Sequence, residues 1–236
     1  MSVTAASGGV LPQPEARGYA GNLGSLFAAH ADSTDTALVD CFAPQAPREI
    51  SFRELDQLCD AVARGLARAG LVAGDRVGIL LPQRPETGFA HVACYKAGLV
   101  AIPLFTLFGE DALAFRLGDA GAKAVVTDMA SLAKLAPIRD RLPELKLVLV
   151  VDAAKDGQGF TALAPALEKA SDSFSACDSA ADDPALIIYT SGTTGNPKGA
   201  LHAHRVLLGH LPGVEYPHEF FPQAGDRFWK IGRAHV

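Results

Sequence analysis

The stretch of sequence that decides the fold is PALIIYTSGTTGNPKG, which occupies residues 184–199. Its first part, residues 184–189, contains no charged side chain and predicts a buried β-strand. Residues 190–199 then combine three glycines, four hydroxyl side chains and one lysine. Open α/β sheets bind their ligands at the carboxyl ends of strands. The stretch therefore predicts an α/β protein with a ligand-binding loop directly after a strand.

The loop at residues 190–199 has the residue types of a phosphate-binding loop. Its glycines permit a positive φ and let backbone N–H groups approach a ligand, and successive N–H groups form a concavity suited to anions. The hydroxyls add neutral donors, and the lysine adds a mobile positive charge. A surface turn has a similar composition, but this ordered series after a buried strand favours phosphate. The residues predicted to bind phosphate are Thr190, Ser191, Gly192, Thr193, Thr194, Gly195, Lys198 and Gly199.

Strands and helices alternate along the part of the chain that precedes this loop. Ser51 and Glu54 have the spacing of a capping box, which predicts a helix that begins there and ends at Gly70. The elements predicted after it are strands at 76–81, 99–104, 123–127 and 145–151 and helices at 85–98, 110–120 and 130–141. Strands that are apolar on both faces and interleaved with helices indicate a largely parallel sheet covered by helices. Residues 152–183 are interpreted as a loop-rich connection.

The composition fits one cored domain and excludes several classes of protein. The chain has 236 residues, of which 49% are hydrophobic, and a formal net charge of −5. It has no apolar run long enough to cross a bilayer and no basic run that suggests nucleic acid or an anionic membrane. The first twenty residues lack the pattern of a secretion signal. We therefore expect a cytoplasmic protein without a nucleic-acid partner.

Cysteines and histidines give no metal-binding pattern. The four cysteines lie far apart without a CxxC pair, which indicates ordinary thiols in a reducing compartment. Four histidines follow the loop closely at positions His202, His204, His210 and His218. Their spacing matches no common zinc site. We expect them on a helix after the loop, facing solvent or packing locally, with no metal.

Residues 189–199, YTSGTTGNPKG, resemble the signature loop of the adenylate-forming superfamily, which includes acyl-CoA synthetases, peptide-synthetase adenylation domains and luciferases. The spacing differs from both the Walker A loop and the Rossmann glycine pattern. Residues 50–55 and 96–104 are also similar to family segments. The resemblance covers residues 23–229 and implies the N-terminal portion of the large domain of this fold, preceded by a loose tail at residues 1–22.

The resemblance implies an AMP-forming acid–thiol ligase that uses ATP and Mg²⁺, with coenzyme A as co-substrate. A carboxylate attacks the α-phosphate, and the thiol then displaces AMP from the acyl-adenylate. The loop is expected to hold the β- and γ-phosphates, with Lys198 as a phosphate contact. No catalytic residue is assigned in this chain, because the family's adenylating lysine lies near the end of a full-length chain.

Two other functions stay open from the sequence. The acyl group could pass to a carrier-protein phosphopantetheine, or the chain could be a non-catalytic nucleotide-binding fragment. Residues 209–229 are similar to bacterial synthetases near the acetyl and medium-chain groups, but the sequence does not name the carboxylic acid or the oligomeric state.

Residues 230–236 are interpreted as an artefactual end. Ile231 to Val236 reads IGRAHV, which is what a common sequencing adapter encodes when it is translated. Because later family segments would then be missing, we expect the chain itself to be inactive and poorly soluble.

Overall fold

The computed structural model describes residues 21–41, 46–168, 173–190, 195–220, 223 and 226. Its strands are β1 (Thr36–Asp40), β2 (Arg48–Ser51), β3 (Arg76–Leu80), β4 (Val100–Leu104), β5 (Ala122–Thr127), β6 (Leu147–Val150), β7 (Thr161–Ala162), β8 (Pro184–Thr190) and β9 (Lys198–Ala203). Its α-helices are α1 (Phe52–Arg68), α2 (Pro85–Lys96), α3 (Glu110–Asp119), α4 (Met129–Leu132), α5 (Ala164–Glu168) and α6 (Val206–Glu215). Short 3₁₀ helices cover Leu23–His30, Ala136–Arg141 and Tyr216–His218.

Seven of these strands form one sheet in the order β7-β6-β5-β3-β4-β8-β9. Neighbouring strands are parallel except β8 and β9, which form an antiparallel hairpin at one edge. Strands β1 and β2 pair separately as a small antiparallel sheet. The expected α/β fold with a mostly parallel, helix-covered sheet is therefore confirmed, and the antiparallel edge strand β9 is an element that the sequence did not predict.

Helices cover both faces of the large sheet. On one face α1 and α2 pack against Val77 and Ile79 of β3, and on the other α3 and the 3₁₀ helix at 136–141 pack on the side that Leu80 faces. Alternate residues of a strand point to opposite faces, so β3 is apolar throughout because both of its faces are buried. Within the described residues, no helix is long and apolar enough to cross a membrane.

The start of α1 confirms the prediction of a helix N-terminus at Ser51. The Ser51 hydroxyl accepts a hydrogen bond from the Glu54 N–H at 3.2 Å. This contact satisfies one of the backbone donors that a helix leaves unpaired at its first turn. The Glu54 carboxylate pairs with Arg48, so it also ties β2 to the helix.

Two predicted segments differ from the structure. The helix expected at 130–141 is divided into α4, which Asp128 caps, and a 3₁₀ helix that carries Pro137 in its first turn. Proline lacks an N–H and fits only the beginning of a helix, so it starts a new turn here. The connection expected at 152–183 contains β7 and α5, which were too short to show a period in the sequence.

The segment before β1 is packed against the end of the connection. Asn22 is 3% exposed, and its Nδ2 donates to Cys177 O at 3.0 Å and to Ser179 Oγ at 3.1 Å. The packed part of the chain thus includes Gly21 and Asn22, before the domain start predicted at residue 23. Residues 1–20 of the predicted tail, and residues 230–236 of the predicted artefactual end, lie outside the described residues.

A buried lysine joins three segments of the fold. Lys96 Nζ, at the end of α2, donates to Asp56 Oδ1 at 2.5 Å and to Asp60 Oδ1 at 2.6 Å on α1. The Lys96 and Asp60 side chains are only 6% and 4% exposed. Asp60 Oδ2 accepts the Phe174 N–H at 2.9 Å, so the cluster also fixes the connection that leads into β8.

His204, which follows β9, is fully buried and holds the N-terminal segment in place. Its Nδ1 accepts the Leu23 N–H at 3.0 Å, so the neutral ring carries its proton on Nε2. The Tyr95 ring lies edge-on at 6.2 Å between centroids. Burial lowers the pKa of His204, although the nearby Asp183 carboxylate acts in the opposite direction.

Acidification is expected to destabilise the chain through His204. Unfolded histidine takes up a proton near pH 6.5, whereas folded His204 does so only at a lower pH, so the free energy of unfolding falls as the pH drops below about 6.5. Above that pH, His204 contributes nothing to the pH dependence of the free energy of unfolding. Urea unfolding at several pH values should show a smaller fall for His204→Gln than for the wild type and for the exposed control His210→Gln. Equal slopes in all three proteins would contradict this assignment.

Candidate phosphate-binding site

The predicted loop closes the hairpin between β8 and β9. Tyr189 pairs with Gly199 and Thr190 pairs with Lys198, so the ends of the loop face each other across two strands. Because β8 runs parallel to β4, the loop begins at the sheet edge where the parallel strands have their carboxyl ends. This is the edge at which α/β sheets bind ligands. Ser191, Gly192, Thr193 and Thr194 lie outside the described residues.

The structure requires glycine at the two described glycine positions of the site for different reasons. Gly195 has φ of +107° and open space around it, so its backbone needs a residue without a side chain. Gly199 has no positive φ and lies within β9. A Cβ there would lie 2.9 Å from Ile187 Cγ2 and 3.2 Å from Tyr189 Cζ. Gly199 therefore allows cross-strand packing, which the sequence had not indicated.

Lys198 is the positive charge of the described part of the site. Its side chain is exposed, and among the described residues no carboxylate forms an ion pair with it. Thr190, on the facing strand, has an exposed side chain whose Oγ1 donates to Lys198 O at a long 3.5 Å. An ammonium group that no protein carboxylate neutralises is available to an anionic ligand. The site is thus suited to phosphate oxygens.

Tyr189, the residue directly before Thr190, anchors the hairpin to α3. Its hydroxyl donates to Asp119 Oδ2 at 2.6 Å. The ring lies edge-on to Phe115 at 6.5 Å, and the Arg116 guanidinium is 5.8 Å from its centroid. Burial and the Asp119 carboxylate raise the pKa of Tyr189, so the phenol stays protonated and remains a donor. Sequence reasoning missed Asp119 and Arg116 as neighbours of the loop.

The described residues form no cluster of side chains of the kind that binds a metal ion. No group of three or more His, Cys, Asp or Glu side chains in the described part of the chain could hold a metal ion. Asp119, a carboxylate that contacts the hairpin, is bonded to Tyr189. Any Mg²⁺ that arrives with a nucleotide would therefore rely mainly on phosphate oxygens, water and hydroxyl groups here.

The four histidines after the loop were expected on a helix, but the structure distributes them over several elements. His202 lies on β9, and His204 is buried directly after it. His210 lies on α6 and His218 in the 3₁₀ helix that follows. The prediction of a helix is confirmed for the exposed His210 and wrong for His202 and His204. It failed there because an antiparallel return strand, which has almost no apolar alternation, precedes the helix.

Similarity to known proteins identifies the family of this chain. Residues 27–232 match the family model described as AMP-binding enzyme. The chain belongs to the AMP-binding enzyme family. Its similarity to acetyl-coenzyme A synthetase of Rhodobacter capsulatus is 33% identity over 217 residues, which cover 82% of this chain and 32% of the relative. Acetyl-coenzyme A synthetase of Bacillus subtilis is 35% identical over 183 residues, covering 76% of this chain and 32% of the relative.

Solved structures of AMP-binding enzymes share the fold. An acyl-CoA synthetase of Brucella canis superimposes with a TM-score of 0.74 at 28% identity, covering 82% of this chain and 35% of that one. An anthranilate CoA ligase in complex with anthranoyl-AMP gives 0.73 at 27% identity, covering 82% and 37%. The chain thus spans about a third of the length of the curated relatives it matches.

Proposed function

We propose that the protein to which this chain belongs activates a carboxylic acid with ATP and transfers the acyl group to coenzyme A. The observation that carries this proposal is the hairpin loop, in which Gly195 has a glycine-specific conformation and the exposed Lys198 forms no ion pair with a described carboxylate. The loop begins where the parallel strands of the sheet have their carboxyl ends. The names of the relatives, acetyl-coenzyme A synthetase and acyl-CoA synthetase, support coenzyme A as the acceptor rather than a carrier protein.

In this proposal the loop positions the triphosphate and does no covalent chemistry. Backbone N–H groups and the hydroxyls of residues 190–194 hold the β- and γ-phosphate oxygens, and Lys198 offsets their charge. The α-phosphate is then presented to the carboxylate, and pyrophosphate leaves from the loop. Such fixed donors lower the barrier by orientation and by charge stabilisation where charge develops. Magnesium, when bound to the nucleotide, supplies additional charge neutralisation.

The 236-residue chain is expected to bind Mg·ATP through Lys198. Isothermal titration calorimetry should detect binding by the wild type, and Lys198→Met should weaken it by about 10- to 100-fold, because a hydrogen bond to a charged group contributes about 1.5–3 kcal/mol. Lys155→Met, at an exposed lysine away from the hairpin, is the matched control and should bind like the wild type.

Two assays, Mg·ATP binding and ATP–pyrophosphate exchange, distinguish the possible outcomes. Absence of Mg·ATP binding at millimolar concentration, or equal binding by Lys198→Met, would overturn the proposed role of the loop. Because the chain spans a third of its relatives, we expect no carboxylate-dependent ATP–pyrophosphate exchange from it alone. Exchange by the 236-residue chain would show that its own residues suffice for adenylation.

A further inference from the structure

Tyr189 directly precedes the loop and contacts the facing strand β9 and helix α3. It is the last residue of β8 but one, next to Thr190 and directly opposite Gly199 on β9. We propose that Tyr189 is a positioning residue, which holds Thr190 and Lys198, at the described ends of the loop, in their phosphate-binding position by fastening the hairpin to α3. This inference rests on the proposed function of the loop and assigns the residue that orients it.

The first support is the hydrogen bond between the Tyr189 hydroxyl and Asp119. The two residues are 70 positions apart in sequence and 2.6 Å apart between oxygens, so the bond joins the loop-bearing hairpin to a separate element. Bonds to an ionised carboxylate are stronger than those between neutral groups. The contact therefore defines the distance between β8 and the end of α3.

Asp119 is an unfavourable residue for the helix that carries it. It is the last residue of α3, where the helix dipole disfavours a negative charge. Its side chain is exposed, and the described hydrogen bond that uses it is the one from Tyr189. Asp119 thus lowers the stability of α3 at its end, but it accepts the hydrogen bond that attaches the hairpin to this helix.

The second support is the ring of Tyr189, which covers the partner strand. A side chain at Gly199 would meet Tyr189 Cζ at 3.2 Å, so the ring occupies the space above β9. Phe115 and Arg116 of α3 border the ring on its other side. Arg116 is 9% exposed as a whole residue, and its guanidinium lies 4.1 Å from the centroid of the Phe108 ring, so the position of Arg116 beside Tyr189 is fixed.

The position of Lys198 follows from these contacts. Lys198 adjoins Gly199 in β9 and pairs with Thr190, which adjoins Tyr189 in β8. A shift of Tyr189 away from α3 therefore moves both ends of the loop together. The affinity for a triphosphate should depend on the Tyr189–Asp119 bond even though neither side chain needs to touch the ligand.

The test is a double-mutant cycle with inorganic tripolyphosphate and Mg·ATP as probes. Tyr189→Phe keeps the ring and removes the hydroxyl, and Asp119→Asn removes the carboxylate charge. Each change is expected to lower the affinity for both ligands about three- to tenfold in calorimetry. The double variant should bind no more weakly than the weaker-binding single variant. Tyr95→Phe is the matched control, because it removes a hydroxyl that contacts His91 on the same helix and keeps the ring that borders His204. It should leave both affinities unchanged.

Hydrogen exchange distinguishes positioning from general destabilisation. The backbone amides of residues 195, 196 and 198–200 should exchange faster in Tyr189→Phe than in the wild type, while the thermal midpoint of Tyr189→Phe stays close to that of Tyr95→Phe. Wild-type affinity in Tyr189→Phe, together with weak binding by Lys198→Met, would overturn the positioning role and leave the proposed function standing. Additive losses in the double variant would also overturn it. Absence of binding in the wild type would overturn both proposals.

Discussion

Replacement of Lys96 by methionine is expected to lower the free energy of unfolding of the chain by about 3–5 kcal/mol. Lys96 bonds Asp56 and Asp60 at 2.5 and 2.6 Å, and Asp60 is 4% exposed. Burial alone would lower the pKa of Lys96, but the two carboxylates outweigh burial and raise it, so the ammonium stays charged. Without it, two carboxylates face each other with little water to solvate them.

Urea unfolding of Lys96→Met and of a double variant tests this charge argument. Lys96→Met/Asp60→Asn should be less destabilised than the sum of its single changes, because removing the second charge relieves the one left unpaired. The exposed control Lys155→Met should change the unfolding free energy by less than about 0.5 kcal/mol. A Lys96→Met protein within 1 kcal/mol of the wild type would show that the cluster is not a required link between α1 and α2.

The local elements of this fold were predictable because each has a pattern within a few residues. Ser51 and Glu54 mark the start of α1 three residues apart, and the apolar runs of β3 and β6 reflect strands buried on both faces. The phosphate loop was recognisable for the same reason, since its glycines, hydroxyls and lysine are contiguous. Such patterns do not depend on which distant segments they later meet.

The contacts that orient the loop were not predictable, because they join residues far apart in the chain. Tyr189 meets Asp119 across 70 positions, and Lys96 meets Asp60 across 36. Strand β9 was missed because most of its residues are exposed and it shows no alternation of apolar and polar side chains. Its pairing with β8 gives the strand its structure, and this pairing placed the histidines differently from the prediction.

Truncation of Leu117 is expected to cost about 2–5 kcal/mol and to be partly reversed by adding a methyl group at Gly78. Leu117 of α3 is 1% exposed, and its Cδ2 would lie 2.7 Å from a Cβ built on Gly78 of β3. The leucine methyl thus fills the space that the glycine leaves. This contact seats α3, which carries Asp119 and so sets the position of the hairpin.

Chemical denaturation of the single and double variants distinguishes the contact between Leu117 and Gly78 from general packing. Gly78→Ala alone should cost about 1–3 kcal/mol, because the new methyl displaces Leu117. Gly78→Ala/Leu117→Ala should be more stable than the sum of its parts by at least 0.5 kcal/mol, since the added methyl enters the vacated space. Leu113→Ala, buried on the same helix, should instead couple more weakly with Gly78→Ala, because the three atoms nearest to that Cβ position belong to Leu117, Leu104 and Val125. Equal additivity at Leu113 and Leu117 would mean that α3 does not rest on Gly78, and the position of Asp119 would then need another support.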